Sequence, residues 1–450
     1  MLEKNSLFPA EITGYASDGM GIARIDGMVV FVAGGVRGDL CTVKILKVLK
    51  NKAYARIESL TLPSPHRAEN DCPAYPRCGG CHLRHMSYEE ELFFKKQRVT
   101  DALQRIAGIE PGEFRIVGSP AKNRYRNKAV FPCAMQNGRP EAGFYRAHSH
   151  EIIPCEDCLL QTEAANALCR AVLDWAAETG APLYDEENNQ GLLRHIYVRT
   201  GKNAALLTLC CTGWNLPQSE LLIEKAARAC PNLAGIVINR NAQATNRILG
   251  EECRTLWGSG VLNDTLCGVE FALSPLSFYQ VNHDQAEHLY EKAVEYAALE
   301  KDDLLLDLYC GTGTITSVMA RHCKQAIGVE IVPQAIEDAK ENARRADIRN
   351  ASFFCADAAK AARQLAEQGL MPRVICIDPP RKGMDQAACD AILRLAPQRV
   401  VYVSCDPATM ARDLALLQSG GYQPQKLTAF DMFPRTNHVE TVVLMSRVKD

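Results

Sequence analysis

Nowhere does the 450-residue chain hold an unbroken run of the roughly 18 to 20 apolar side chains needed to cross a bilayer. The opening Met-Leu-Glu-Lys-Asn enters polar sequence directly, without the apolar core of a secretory signal. Internal repeats and low-complexity tracts are missing too, so neither a solenoid nor a disordered chain is expected. Membrane and secreted readings are set aside in favour of a cytoplasmic protein of two to four domains.

What is present is unevenly distributed. Net charge is only −2, yet residues 1–150 carry 22 Lys+Arg against 15 Asp+Glu, and the remainder 29 against 38. A basic front on an acidic body suggests a polyanionic partner met mainly from one side. The 19 cysteines are odd in number and cannot all pair. In a reducing compartment most are expected to be small buried residues, and some to be ligands or nucleophiles.

Residues 1–59 read as short strands (Glu11–Tyr15, Gly21–Ile25, Met28–Val32, Leu40–Leu49, Asn51–Ser59) punctuated by glycines, the pattern of a small twisted barrel. The stretch GYASDGMGIARIDGMVVFVAGGVRGD resembles a TRAM domain, an OB-like barrel that binds RNA. Lys44, Lys47, Lys50 and Lys52 then read as a backbone-tracking edge, or otherwise as a solvated one. Leu62-Pro63-Ser64-Pro65 reads as a linker, and residues 60–265 as an α+β region. There Arg124, Arg126 and Lys128 interleave with Tyr125 and Phe131, as a nucleic-acid surface or a solvated strand face would.

Cys72, Cys78 and Cys81 fall within ten residues, with Gly79-Gly80 allowing two thiolates to converge; Cys155 and Cys158 are candidates for a fourth ligand. Four thiolates suit an iron–sulfur cluster or a structural zinc, and spacing does not decide between them.

From about Leu304 strands and helices alternate, predicting a mostly parallel α/β sheet over residues 266–450. LLLDLYCGTGT is an apolar strand running into a Gly-x-Gly turn without the third glycine of a dinucleotide fingerprint, which favours S-adenosylmethionine over NAD. Glu330 ends the next strand, placed to accept from ribose hydroxyls, and Asp357 ends a third within reach of an adenine amine. Asp378-Pro379-Pro380-Arg381 makes a rigid loop at the same edge. Its fourth residue is not the aromatic of amine methyltransferases, which points away from N-methylation. Cys405 in Ser-Cys-Asp-Pro projects from a strand end, and Glu440 opens an apolar strand where partial desolvation would raise its pKa.

A cysteine and a carboxylate together suit methylation at carbon 5 of a uracil. A thiolate adding to carbon 6 makes carbon 5 nucleophilic enough to take a methyl group. A base must then remove the hydrogen on carbon 5, so that the thiolate can leave.

Between Ser274 and Leu444, the motifs FYQVN, DLYCGTGT, GVE, DPPRKG, SCDP and HVET follow the order and spacing of the bacterial RNA uracil-C5 methyltransferase family. With the barrel and the cysteines, the chain resembles the family's 23S ribosomal RNA members; the transfer RNA member is shorter and lacks both additions. The resemblance implies a Rossmann-like class I methyltransferase fold behind a TRAM barrel and an iron–sulfur α+β region. It implies Cys405 as nucleophile and Glu440 as proton acceptor, with S-adenosylmethionine held by Gln280, Tyr309, Glu330 and Asp378. It also implies a [4Fe–4S] cluster on Cys72, Cys78, Cys81 and Cys158, the last fitting the fourth position better than Cys155. The expected partner is 23S ribosomal RNA, with transfer RNA less favoured, and neither DNA nor membrane. A vestigial catalytic half on an RNA-binding or RNA-remodelling protein is the alternative of a different class.

Overall fold

The computed structural model describes residues 2–447. The chain begins with a six-stranded sheet of β1 (Leu7–Glu11), β2 (Gly14–Tyr15), β3 (Gly21–Ile25), β4 (Met28–Ala33), β5 (Leu40–Val48) and β6 (Lys52–Leu62), in the order β1-β5-β6-β4-β3-β2. Alternation along β3, β4 and β5 sends Ala23, Val30, Val32, Val43 and Ile45 into one apolar interior. The strand expected over Glu11–Tyr15 is split, because buried Ile12 exchanges backbone hydrogen bonds with Asp39 and Gly38 instead of a neighbouring strand. The expected boundary at residue 59 falls inside β6, and the proline-containing linker follows immediately. Buried Asp39 ties that linker back, accepting from the Ser64 amide at 2.9 Å and from Arg67 Nε at 2.8 Å.

Helix α1 (Tyr88–Ala102) starts where the Ser87 hydroxyl accepts from the Glu90 amide, and strand β7 (Arg115–Val117) follows. The central sheet comprises β8 (Lys128–Gln136), β9 (Arg139–Tyr145), β10 (Ile152–Pro154), β11 (Leu193–Thr200), β12 (Ala205–Cys211), β13 (Leu233–Arg240) and β14 (Glu252–Gly258). Helices α2 (Glu163–Thr179) and α3 (Ser219–Ala229) cover it, with Trp175 of α2 fully buried. A hairpin of β15 (Leu262–Leu266) and β16 (Val269–Leu273) spans the boundary expected at 265/266, so that division cuts a strand.

The third sheet is doubly wound. Helix α4 (His283–Ala297) precedes β17 (Leu304–Leu308), α5 (Thr314–Ala320), β18 (Gln325–Glu330), α6 (Pro333–Arg345), β19 (Ala351–Cys355) and α7 (Ala358–Glu367). Then come β20 (Val374–Ile377), α8 (Gln386–Leu395), β21 (Arg399–Ser404), α9 (Pro407–Ser419), β22 (Tyr422–Phe430) and β23 (Glu440–Arg447). Strand order is β19-β18-β17-β20-β21-β23-β22-β7, with β23 antiparallel to its neighbours. The order reverses between β17 and β20, where such sheets open a crevice at their carboxyl ends. Strand β7 lies outside the expected nucleotide-binding region yet completes this sheet, because Phe114, Val99 and Leu103 share its core.

The basic stretch around Tyr125 is not the open nucleic-acid surface or solvated strand face its sequence suggests. Tyr125 and Phe131 are buried, Arg124 chelates Asp157 at 2.7 Å, and Arg126 and Lys128 face an internal cavity. The stretch is a packed wall, because β8 pairs with both β9 and β11 in the middle of its sheet.

Candidate active site

A cavity of about 1120 Å³ opens at the carboxyl edge of the third sheet, and Gln280, Tyr309, Glu330, Asp378, Cys405 and Glu440 all line it. The loop after β17 carries Tyr309 at φ 68°, Gly311 at 54° and Gly313 at 74°. A Cβ at Gly313 would come within 2.7 Å of Phe353 and 2.9 Å of Ala339, so only glycine lets this turn pack on α6 and β19. Glu330, ending β18, accepts from the Gly311 amide at 3.2 Å and from the Ile331 and Val332 amides at 2.8 and 3.0 Å. Its carboxylate is thereby held at the cavity wall beside the glycine turn. Asp357 also lines the cavity, but its side chain caps α7 by accepting from the Lys360 amide.

Gln280 precedes a tightly anchored segment. Its carbonyl accepts from Asn127 Nδ2 at 2.9 Å, while Asn282 caps α4 and donates to Ser119 Oγ and to the Met432 carbonyl. Tyr279 points inward to Asp264 at 3.2 Å.

Cys405 and Glu440 meet because of strand pairing. In the β21–β23 ladder Ser404 lies opposite Thr441, so the next residue of each strand end, Cys405 and Glu440, continues the register into the cavity. Ser404 and Asp406 shape the exit from β21: the Asp406 carboxylate accepts from the Ala408 and Thr409 amides, and Pro407 opens α9. The Asp378–Gly383 loop is fixed from behind by Asp413 of α9, which accepts from the Met384 amide at 2.7 Å and the Tyr402 hydroxyl at 2.6 Å. Arg412 adds hydrogen bonds to the Lys382 and Met384 carbonyls.

Acids crowd the cavity and its floor. Burial, then the Glu440 and Asp378 carboxylates, pushes the Cys405 thiol up to about 12, while Arg381 acts in the opposite direction. Burial and Asp378 push Glu440 up to about 8, again opposed by Arg381. Burial raises Asp378 to about 6, and Asp307 beneath the glycine turn to about 8. A cation entering here would lower all four.

Comparison with known proteins agrees with this geometry. The tRNA (Uracil-5-)-methyltransferase family model matches residues 268–448, and the TRAM domain model matches residues 2–57. An uncharacterized RNA methyltransferase of Clostridium tetani is 41% identical over 451 residues, spanning 100% of this chain and 98% of its own length. One of Bacillus cereus is likewise 41% identical over 451 residues, at the same two coverages of 100% and 98%. The chain belongs to the RNA uracil-5-methyltransferase family. In fold, the methyltransferase is similar to the Pyrococcus abyssi tRNA (uracil-54, C5)-methyltransferase solved with S-adenosyl-L-homocysteine. The TM-score is 0.77 at 24% identity, over 97% of this chain and 100% of the other.

The methyltransferase has a second cavity, of about 200 Å³, lined by Cys72, Cys78, Cys81, Cys155 and Cys158. The four cysteines expected as cluster ligands therefore share one site, with Cys155 as a fifth thiol. Gly79 is required there, since a Cβ would meet the Ala147 amide nitrogen at 2.9 Å. A hydrogen bond from Cys155 lowers the Cys158 thiol to about 6, whereas burial raises Cys81 to about 11. Arg84, Arg126 and Lys128 complete the lining; Arg84 Nε is buried without a hydrogen-bond partner, and burial drops Lys128 to about 8. Thiol donors inside a cationic wall fit an anionic iron–sulfur group. Among the described residues, however, no three His, Cys, Asp or Glu side chains converge closely enough to hold a metal ion, so the cluster itself is not shown.

Sequence reasoning missed three contributors. Asp413 is a buried acid among Met410, Leu414 and Leu417 of α9, and a charge on an apolar helix face was its available signal. Phe433 lines the same cavity as Cys405 and Glu440, edge-on to His438, with ring centroids 5.8 Å apart. Fully buried Lys95 sits between Glu91 and Asp431, a pairing that no local pattern announces.

Proposed function

We propose that this methyltransferase moves a methyl group from S-adenosylmethionine to carbon 5 of a uridine in 23S ribosomal RNA. The observation that carries the chemistry is the convergence of Cys405 and Glu440 at adjoining strand ends in the cavity that also holds Asp378 and Glu330. When bound, the cofactor would supply an electrophilic methyl on a cationic sulfur, and the ionised forms of the acids in this cavity favour such a cation.

In this reading Glu330 receives the ribose hydroxyls, while Gln280, Tyr309 and Asp378 line the remainder of the cofactor's place. The target base, unstacked from its RNA, enters beside Cys405 and Phe433. With a cationic cofactor lowering Cys405 from its raised value, the thiol would lose its proton to solvent; the thiolate then bonds to carbon 6 as electrons shift into the ring, and carbon 5 takes the methyl as the methyl–sulfur bond breaks. Glu440, as carboxylate, removes the hydrogen from carbon 5, the carbon–sulfur bond breaks, and the thiolate is regenerated. Residues 1–59 and 60–265 would hold the RNA, while residues 266–450 carry the transfer.

The proposed [4Fe–4S] cluster would rest on Cys72, Cys78, Cys81 and Cys158, supported by their shared cationic cavity. Protein purified anaerobically is expected to be brown with about four irons per chain, and a colourless zinc protein would remove the cluster from the proposal.

Transfer RNA remains a specific second reading, because a fold neighbour over the whole chain is named for that substrate. Incubating each RNA with radiolabelled cofactor, and mapping 5-methyluridine by mass spectrometry with and without the protein, separates the two. Label confined to transfer RNA would overturn the ribosomal assignment.

A further inference from the structure

Residues 431–438, within the 431–439 connection from β22 to β23, carry Phe433 into the catalytic cavity and lead the chain towards Glu440. Although this is a loop, donors from distant parts of the chain hold its carbonyls. Met432 O accepts from Asn282 Nδ2 at 3.1 Å, Phe433 O from Lys95 Nζ at 3.1 Å, and Pro434 O from the Tyr125 hydroxyl at 3.0 Å. Arg435 O accepts two amides, His82 at 2.8 Å and Leu83 at 3.1 Å, and Asn437 O accepts from Arg98. Lys95 also bonds Glu91 and Asp431, and Glu91 Oε1 accepts the Arg435 amide at 2.7 Å.

Both halves of the cysteine site reach this loop. His82 and Leu83 directly follow Cys81. Tyr125 follows Arg124, whose guanidinium grips the Cys158 carbonyl at 2.8 Å and the Asp157 carboxylate at 2.7 Å. Cys81 is thus one and two residues from two donors that fix the 431–438 segment, and Cys158 reaches a third, Tyr125, through its carbonyl's hydrogen bond to Arg124. Packed elements of this kind transmit displacement, because a shifted donor leaves a buried carbonyl unpaired.

We propose that the cysteine segment is a positioning element for the catalytic cavity, holding Phe433 and the approach to Glu440 through the His82 and Leu83 amides and the Tyr125 hydroxyl. The proposal rests on the assignment of Glu440 as base. It concerns the chain's own hydrogen bonds rather than any chemistry at the thiols. Loosening the thiol site displaces the 431–438 loop and leaves the cofactor edge at Gly311 and Glu330 in place.

Hydrogen exchange on the full-length protein tests this without substrate. In Cys72→Ser/Cys81→Ser, the amides of Arg435, Thr436 and His438, all hydrogen-bonded in the structure, should exchange about 10-fold faster, while those of β18 keep wild-type rates. In turnover with RNA, kcat should fall about 10-fold with KM for S-adenosylmethionine unchanged. Unchanged exchange at 435–438, while amides 72–83 exchange freely, would overturn the proposal. If β18 also loses protection, the double variant has unfolded and Tyr125→Phe decides. That variant deletes one bond to Pro434 O and keeps the ring, so faster exchange confined to 431–438 supports the proposal and wild-type rates there overturn it. A protein that methylates no RNA yet shows the confined exchange change would retain the positioning role while losing its proposed reaction.

Discussion

At the scale of single residues, one thiol and one carboxyl carry the proposed reaction, and their environments set its pH behaviour. Cys405→Ala is expected to abolish the covalent RNA adduct, and Glu440→Gln to accumulate it, because addition to carbon 6 survives while hydrogen removal stalls; denaturing gel electrophoresis with labelled RNA reads both. Glu440 acts as a base only when ionised, and burial lifts it to about 8. At saturating cofactor, whose positive charge lowers Glu440 from that value, kcat/KM for RNA should therefore rise with pH along a limb centred below about pH 8. Asp378→Asn removes one of the charges that raise Glu440, and should move this limb to lower pH. The same shift has a stability consequence. A carboxyl whose folded pKa lies above its unfolded value favours the folded state at low pH and loses that contribution as pH rises through about 8. Glu440→Gln should consequently gain thermal stability relative to wild type at about pH 8 and not at about pH 4, by calorimetry.

At the scale of elements, turns and their anchors place the side chains. The turn between β17 and α5 needs glycine at 313, where φ is 74° and Phe353 and Ala339 leave less than 3 Å for a Cβ. Gly313→Ala is expected to cost about 1 to 3 kcal/mol in chemical denaturation and to weaken cofactor binding by calorimetry. The Asp378–Gly383 loop depends on Asp413 in the same way. Asp413→Ala leaves the Met384 amide and the Tyr402 hydroxyl without their acceptor. A lost buried bond of this kind costs about 1 to 3 kcal/mol, and kcat should fall more than KM for the cofactor rises.

At the scale of the molecule, a barrel, a central sheet and a doubly wound sheet are joined by elements that cross expected divisions. Strand β7 and α1 precede the central sheet in sequence yet pack into the third. The barrel presents Phe31 tilted on Tyr54 at 5.5 Å, with Lys52 Nζ 5.8 and 5.6 Å from the two rings. Half-exposed aromatics beside lysines suit unpaired bases and phosphates. Replacing Lys44, Lys47 and Lys52 with Gln should raise KM for RNA and reduce the salt dependence of binding by about one power of salt per lost phosphate contact, with cofactor affinity unchanged. Filter binding across a salt series measures it.

Local chemistry made much of this legible in the chain. Glycines at 311 and 313, an acid closing β18, prolines after Asp378 and the Ser-Cys-Asp-Pro turn are short-range patterns whose backbone demands can be read without neighbours. That Cys405 would face Glu440 across an antiparallel pair depended on β23 inserting between β21 and β22, a contact between distant segments. Tertiary structure alone decided that Arg126 and Lys128 turn into the cysteine cavity, that Asp413 braces a loop some thirty residues earlier, and that Lys95 holds the segment leading to Glu440. Burial and partnering of charge are properties of the assembled molecule: a sequence shows which side chains are charged, and only packing determines which of them are removed from water together.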